Sequence, residues 1–116
     1  MGDTYTKLKI YGPNGVEELS GLVDTGATFT KIPHDISDKL GLKVRRKVAV
    51  KLSDERAVER GLCYAEAEVD GVRDLIPITL GAEGEEPLVG YTTLEILGFK
   101  VNSITQRLET TTPIEY

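Results

Sequence analysis

Residues 22–28 read Leu-Val-Asp-Thr-Gly-Ala-Thr. A carboxylate, Asp24, follows an apolar run and precedes a hydroxyl side chain, Thr25, and a glycine, Gly26. A carboxylate at the end of a buried strand is costly unless its surroundings satisfy it. Thr25 offers a hydroxyl, and Gly26 lets the backbone approach closely with its N–H free to donate. A carboxylate held this way can exchange a proton with water or with a substrate, which is general acid–base chemistry. The plainer alternative is a turn that Asp24 merely caps, because Asp-Thr-Gly is also good turn chemistry.

Other chemistries lack the residues. There is one histidine, His34, one cysteine, Cys63, and no tryptophan. A zinc site needs three or four good ligands, and this pair falls short. A Ser–His or Cys–His couple would have to use His34, and nothing near Cys63 suggests it. His34 with Asp35 and Asp38 reads as a helix start, with Asp35 as a cap, rather than as a metal site. Cys63 alternates with alanines and reads as an inert core residue. No cofactor and no metal are expected. Nor is a disulfide, since one cysteine cannot form an intrachain bridge.

The chain has 116 residues, 40% hydrophobic and 28% charged, the composition of one globular unit. Residues 1–116 are read as a single domain, with 110–116 either a loose tail or a segment that pairs with a partner chain. The net charge of −5, from 14 basic and 19 acidic side chains, disfavours nucleic acid and anionic membranes as partners. No apolar run opens the chain and none approaches a membrane span, so neither a signal peptide nor an anchor is expected. The lone cysteine suits a reducing compartment, and the expected localisation is cytoplasmic.

The elements that must position Asp24 are short strands. Thr6, Leu8 and Ile10 alternate with polar residues, residues 12–15 form a Gly-Pro-Asn-Gly turn, and residues 16–23 return as a strand. A strand is expected over 28–32, ended by Pro33, then a helix over 35–40 closed by Gly41. Residues 44–52 form a strand with Val44, Arg46, Val48, Val50 and Leu52 on one face and Lys43, Arg45, Lys47 and Lys51 on the other. Its basic run, Lys43, Arg45, Arg46 and Lys47, could steer acidic peptides, but the alternation favours a solvated face. Cys63, Ala65, Ala67 and Val69 alternate into a hairpin turned by Asp70-Gly71, and residues 72–80 return. Residues 81–86 are a polar loop and 88–90 a short strand. A helix over 92–97 is stopped by Gly98, with final strands at 99–101 and 104–108. The fold class is mostly β, with two short helices, in a sandwich or barrel.

Asp24-Thr25-Gly26-Ala27, with the apolar Gly21-Leu22-Val23 before it and Thr30 and Ile32 after it, resembles the active-site motif of retroviral-type (retropepsin-like) aspartic proteases. Residues 87–98, Pro-Leu-Val-Gly-Tyr-Thr-Thr-Leu-Glu-Ile-Leu-Gly, resemble that family's second signature, an apolar pair and glycine followed by a short helix. The resemblance spans residues 5–108 and implies a single-domain cellular member with a closed acid-protease barrel. It implies that the strand ending in Gly90 props the Asp24 loop. The chain carries one Asp-Thr-Gly, which excludes the two-lobed pepsin plan and implies a homodimer with one Asp24 from each subunit. Two carboxylates about 3 Å apart share one proton and titrate as a unit. One activates water and the other protonates the scissile carbonyl, so the implied activity is an aspartic endopeptidase acting on a polypeptide.

The resemblance also implies supporting roles. Thr25 holds the two loops in register across the dimer, Gly26 lies against the substrate backbone, and Ala27 and Thr28 line the pocket. The hairpin over 48–58 is the flap, with Leu52, Ser53 and Asp54 near its tip on the substrate. Retroviral members often carry acidic residues where Thr28 and Phe29 stand here, and their flaps are glycine-rich. This chain has no glycine between Gly41 and Gly61. The flap therefore favours a rival reading, a weakly active or non-catalytic dimeric module that holds an extended peptide by strand addition.

Overall fold

The computed structural model describes residues 3–116. Its first hairpin follows from the alternation. Strand β1 (Tyr5–Gly12) pairs antiparallel with β2 (Gly15–Asp24) in the register Leu8↔Leu19, Gly12↔Gly15. Leu8 and Ile10 are fully buried while the residues between them face outward. The turn meets helix α1 (His34–Leu40): the Asn14 N–H donates to the Leu40 carbonyl at 3.1 Å. No side chain fits at position 12, where a Cβ would lie 2.5 Å from that same carbonyl oxygen.

The longest strand closes the structure. Strand β5 (Ala57–Val69) pairs with β4 (Arg46–Lys51) and β6 (Val72–Gly81), and its far end reaches β1 in the register Ile10↔Ala67. With β3 (Thr30–Pro33) and β7 (Leu88–Gly90), the ring runs β1-β2-β7-β3-β6-β5 and returns to β1. This is a closed barrel of six strands, with β4 hanging from β5 outside it. Leu8, Ile10, Ile32, Ala65, Ala67, Ile76, Ile78 and Val89 fill it. Asp70 and Gly71 turn β5 into β6 with φ of 48° and 81°, the two positive values that a two-residue type I′ hairpin requires. On β6, residues 76–79 are buried without alternation, because helix α2 (Tyr91–Leu97) covers the face turned away from the barrel. Strands β8 (Phe99–Asn102) and β9 (Arg107–Thr110) form a separate two-stranded sheet.

Several boundaries depart from the sequence expectations. Helix α1 starts at His34 with an extended Pro33 as its cap residue. Asp35 makes no cap hydrogen bond there and lies in the first turn, where a carboxylate favours the helix dipole. The strand expected from residue 28 begins at Thr30, because the carbonyls of Ala27 and Thr28 are taken by the first N–H groups of α2. The strand expected over 104–108 is mostly turn. The Asn102 side chain accepts the N–H groups of Ile104 and Thr105 at 2.9 and 3.0 Å, which curls the chain before β9. Gly41 and Gly98 end their helices as expected, with left-handed φ of 76° and 79°.

One ion cluster ties three parts of the barrel. Glu85, in the loop before β7, faces Lys31 of β3 at 3.1 Å and Arg60 of β5 at 3.3 Å. Burial alone would raise its carboxyl, but the two cations and a backbone N–H outweigh that and hold it below the usual carboxylate range. A depressed folded value means that this stability is present above the unfolded value and is lost as pH falls through the folded one. Glu85→Gln is therefore expected to lower stability by about 1–2 kcal/mol at neutral pH. The difference in thermal midpoint from wild type should shrink as pH falls below 4.5, the ordinary value. A difference that stays constant between neutral and acid pH would show that the cluster is electrostatically idle.

Candidate active site

Asp24 is the last residue of β2, which runs parallel to β7 with Leu22↔Leu88, Val23↔Val89 and Asp24↔Gly90. The chain turns at once. The Gly26 N–H donates to Asp24 Oδ1 at 3.0 Å, and the Ala27 N–H donates to the Asp24 carbonyl at 3.1 Å. The carboxylate is thus held by its own loop, half-buried, while Thr25 and Gly26 are exposed. A Cβ at position 26 would crowd Asp24 Oδ1 at 3.3 Å.

Behind this loop lies a second layer. Gly90 is packed so tightly that a Cβ there would sit 2.3 Å from the Phe29 carbonyl oxygen and 3.0 Å from that of Ala27. The next two residues use the free N–H groups that every helix start presents. Tyr91 donates to the Ala27 carbonyl at 2.7 Å and Thr92 to that of Thr28 at 3.0 Å. Thr30, fully buried, accepts the Gly90 N–H at its Oγ1 at 3.1 Å and shares a hydrogen bond of 2.6 Å with Thr93 Oγ1. Thr79 Oγ1 donates to the Thr30 carbonyl at 3.4 Å. Asp24, Thr25, Gly26, Ala27, Thr28, Thr30 and Gly90 therefore meet in one place. Sequence reasoning missed Thr93 and Thr79. The available signal for Thr93 was a small hydroxyl residue on the inward face of α2, beside Leu94 and Leu97.

The flap residues lie apart. Strands β4 and β5 form the hairpin, and Leu52, Ser53 and Asp54 lie at its tip. The tip closes on itself: the Leu52 N–H donates to the Arg56 carbonyl at 2.8 Å, and the Glu55 N–H to that of Leu52 at 2.9 Å. Glu55 takes a left-handed φ of 69°, a place where glycine would be easier. Asp54 accepts the Arg56 N–H at 3.1 Å and Arg56 Nε at 2.8 Å. Those bonds hold its carboxyl below the ordinary range. Among the described residues no hydrogen bond or ion pair joins this tip to residues 24–28.

Two other groups are placed by the structure. Among the described residues no cluster of three His, Cys, Asp or Glu side chains could hold a metal ion. His34 Nδ1 stands 3.6 Å from Asp38, one turn along α1. Burial pushes the Cys63 thiol up to about 11, against a weak hydrogen bond from Ser37, so it is no nucleophile at neutral pH. Beside the Asp24 loop, a groove of about 480 Å³ is lined by Thr25, Tyr91, Leu94, Phe99 and Thr111 among others. No helix of the described residues is long and apolar enough to cross a membrane.

Known proteins resemble this chain in sequence pattern and in fold. The sequence profile of a family described as aspartyl protease matches residues 6–78, which include the Asp24 loop and the β4–β5 hairpin. Among solved structures, the EIAV protease complexed with the inhibitor HBY-793 superposes with a TM-score of 0.66 at 20% identity, over 87% of this chain and 93% of that one. The barrel is thus retropepsin-like. No curated protein matches the chain.

The buried layer should carry stability as well as shape. Thr30→Val leaves the Gly90 N–H and the Thr93 hydroxyl without their partner and is expected to cost about 1–3 kcal/mol. Gly90→Ala has no room at all and should cost more, because a backbone carbonyl must move. Urea unfolding of both variants checks this. Equal stability of Gly90→Ala and wild type would show that residues 27–29 are not braced by β7.

Proposed function

This chain belongs to the aspartyl protease family, and on that premise we propose that it is an aspartic endopeptidase whose active site is shared between two copies. The observation that carries the reading is the Asp24 carboxylate, aimed by the Gly26 N–H and set in a loop braced by Gly90 and α2. Each chain supplies one such loop. Exposure of Thr25 and Gly26, beside a groove that also takes in Tyr91 and Phe99, supports a second chain docking there across a two-fold axis.

In the dimer the two Asp24 carboxylates share one proton. The ionised member takes a proton from a bound water, which attacks the scissile carbonyl. The protonated member donates to the carbonyl oxygen, giving a tetrahedral diol. Collapse of the diol breaks the C–N bond as the amide nitrogen is protonated and leaves. Gly26 keeps each carboxylate in one orientation through the cycle, so little reorganisation is needed. Ala27 and Thr28 lie along the substrate main chain, and Leu52, Ser53 and Asp54 close over it from the flap. The reaction uses no cofactor. A second reading, a dimeric peptide-binding module of the same fold, is favoured by one observation: the flap tip is a self-bonded, charged turn without glycine.

Asp24→Asn separates the two readings. It removes base and acid together, and each group contributes roughly 10²–10⁴-fold, so cleavage of a denatured protein mixture should fall below detection. The thermal midpoint should hold or rise, because a neutral amide relieves repulsion between the paired carboxylates. Absence of cleavage by wild type at both acidic and neutral pH would favour the binding module, and cleavage retained by Asp24→Asn would remove Asp24 from catalysis. Sedimentation should give twice the chain mass of 12.7 kDa. A strict monomer that still cleaves peptides would overturn the shared site. Deleting residues 53–56 should raise KM or abolish cleavage without unfolding the barrel. Unchanged kinetics would make the tip a surface turn.

A further inference from the structure

The basic run that leads into and along β4 is not absorbed by any role described so far. Lys43, Arg45, Arg46, Lys47 and Lys51 are all exposed, and no acidic residue occurs between Asp38 and Asp54. None of the five forms an ion pair among the described residues, although the chain as a whole carries net charge −5. Only Arg45 has a partner, its guanidinium lying 5.5 Å from the centre of the Tyr64 ring. Glu59, opposite Ala49 on β5, is the one carboxylate directly across the ladder from this row.

Arg46, Lys47 and Lys51 lie on β4, the end of the sheet: among the described residues it pairs with β5 on one side and with no strand on the other. The ladder gives the direction of its free groups. The Leu52 N–H donates to the Arg56 carbonyl, so the hydrogen-bonded pairs recur at every second position, at Val50↔Val58 and Val48↔Arg60. The N–H and C=O groups of Lys47, Ala49 and Lys51 therefore point to the open edge. Their side chains share the exposed face, while Val48, Val50 and Leu52 are half-buried on the other. The open edge thus presents backbone donors and acceptors in the same residues that hold two free ammonium groups.

We propose that the outer edge of β4 binds an extended acidic segment of a partner protein by strand addition, with Asp or Glu at alternate positions facing Lys47 and Lys51. Lysines on a sheet edge repel a basic strand, including a second copy of β4, and a neutral strand would cover their charges without compensating them. An acidic strand meets the opposite condition, since opposite charges directly across a ladder attract. The alternation comes from the pleat: only every second residue of the added strand shares a face with Lys47, Ala49 and Lys51. Arg46 at the start of the strand, with Arg45 and Lys43 before it, extends the positive field and steers such a segment to the edge. This edge is available whether or not the chain cleaves peptides.

The test is fluorescence anisotropy of a labelled synthetic peptide of alternating Glu and Thr, on the full chain as wild type and as Asp24→Asn, so that binding and cleavage read separately. Saturable binding is expected to weaken about ten-fold between low and physiological salt. Lys47→Glu with Lys51→Glu should weaken it by about ten-fold or more. Ala49→Pro keeps every charge and leaves the β5 ladder intact, because the lost N–H points to the open edge. It should weaken binding as well. The same peptide N-methylated at its Glu residues, whose amides would face β4, should fail on the unaltered chain, which covers the case of a variant that does not fold. Undiminished binding of the N-methylated peptide would overturn strand addition. Equal binding of an alternating Lys and Thr peptide, or indifference to the charge reversals, would overturn the acidic partner. Tighter binding of an oligo-dT strand than of the peptide would replace it with a nucleic acid.

Discussion

The absence of room between Gly90 and the carbonyls of Phe29 and Ala27 is the constraint on which the candidate site depends. The chain can approach there only because position 90 lacks a Cβ. The approach then lets the first N–H groups of α2 reach the carbonyls of Ala27 and Thr28, and lets Thr30 collect the Gly90 N–H and the Thr93 hydroxyl. The Thr30 and Thr93 hydroxyls and the Gly90 N–H all find protein partners, which allows Thr30 and Thr93 to be fully buried. Asp24 itself needs little: one N–H from Gly26 and a loop that cannot drift. Its orientation comes from that one bond, and the packed floor keeps the loop that supplies it in place.

The barrel explains why this floor is rigid. Strand β7 is only three residues long, yet it lies between β2 and β3 in a closed ring and so has a neighbour on each side. Closure through Ile10↔Ala67 ties the Asp24-bearing hairpin to the longest strand, and α2 covers β6 from outside. The Lys31–Glu85–Arg60 cluster adds a tie between β3, β5 and the loop before β7. The β4–β5 hairpin runs out beyond this ring. Its tip is secured by its own bonds, the Leu52–Arg56 and Glu55–Leu52 backbone pairs and the exposed Asp54–Arg56 ion pair.

Much of this is legible in the residues. Alternation around Leu8, around Cys63 and in the Asp70-Gly71 hairpin yields the strands with near-correct ends, because a strand with one wet face writes its period into the sequence. Gly41 and Gly98 mark both helix ends, since each needs a left-handed φ that glycine adopts without strain. The paired signatures around Asp24 and Gly90 imply that the two segments meet. What is not legible depends on tertiary partners. Residues 28 and 29 look like strand, but their carbonyls are claimed by a helix distant in sequence. Residues 104–106 look like strand until Asn102 folds over them. Thr93 and Thr79 carry no local sign of their role, because a buried hydroxyl is intelligible only beside its partner.

The β2–β7 register has a consequence for the order in which the molecule assembles. Hairpins such as β1–β2, β4–β5 and β5–β6 join neighbours in sequence and close short loops. The parallel pairing of residues 22–24 with residues 88–90 spans most of the chain and must wait until its conformational entropy is offset by those earlier contacts. A chain emerging during synthesis thus carries Asp24 long before it carries anything to set it against. Until β7 is inserted, Gly26 and Asp24 belong to a flexible loop with no floor, and a misfolded or truncated chain shares that condition. The carboxylate is brought into position by one of the slowest contacts to form, so a native arrangement of this aspartate is in itself a report that folding has finished.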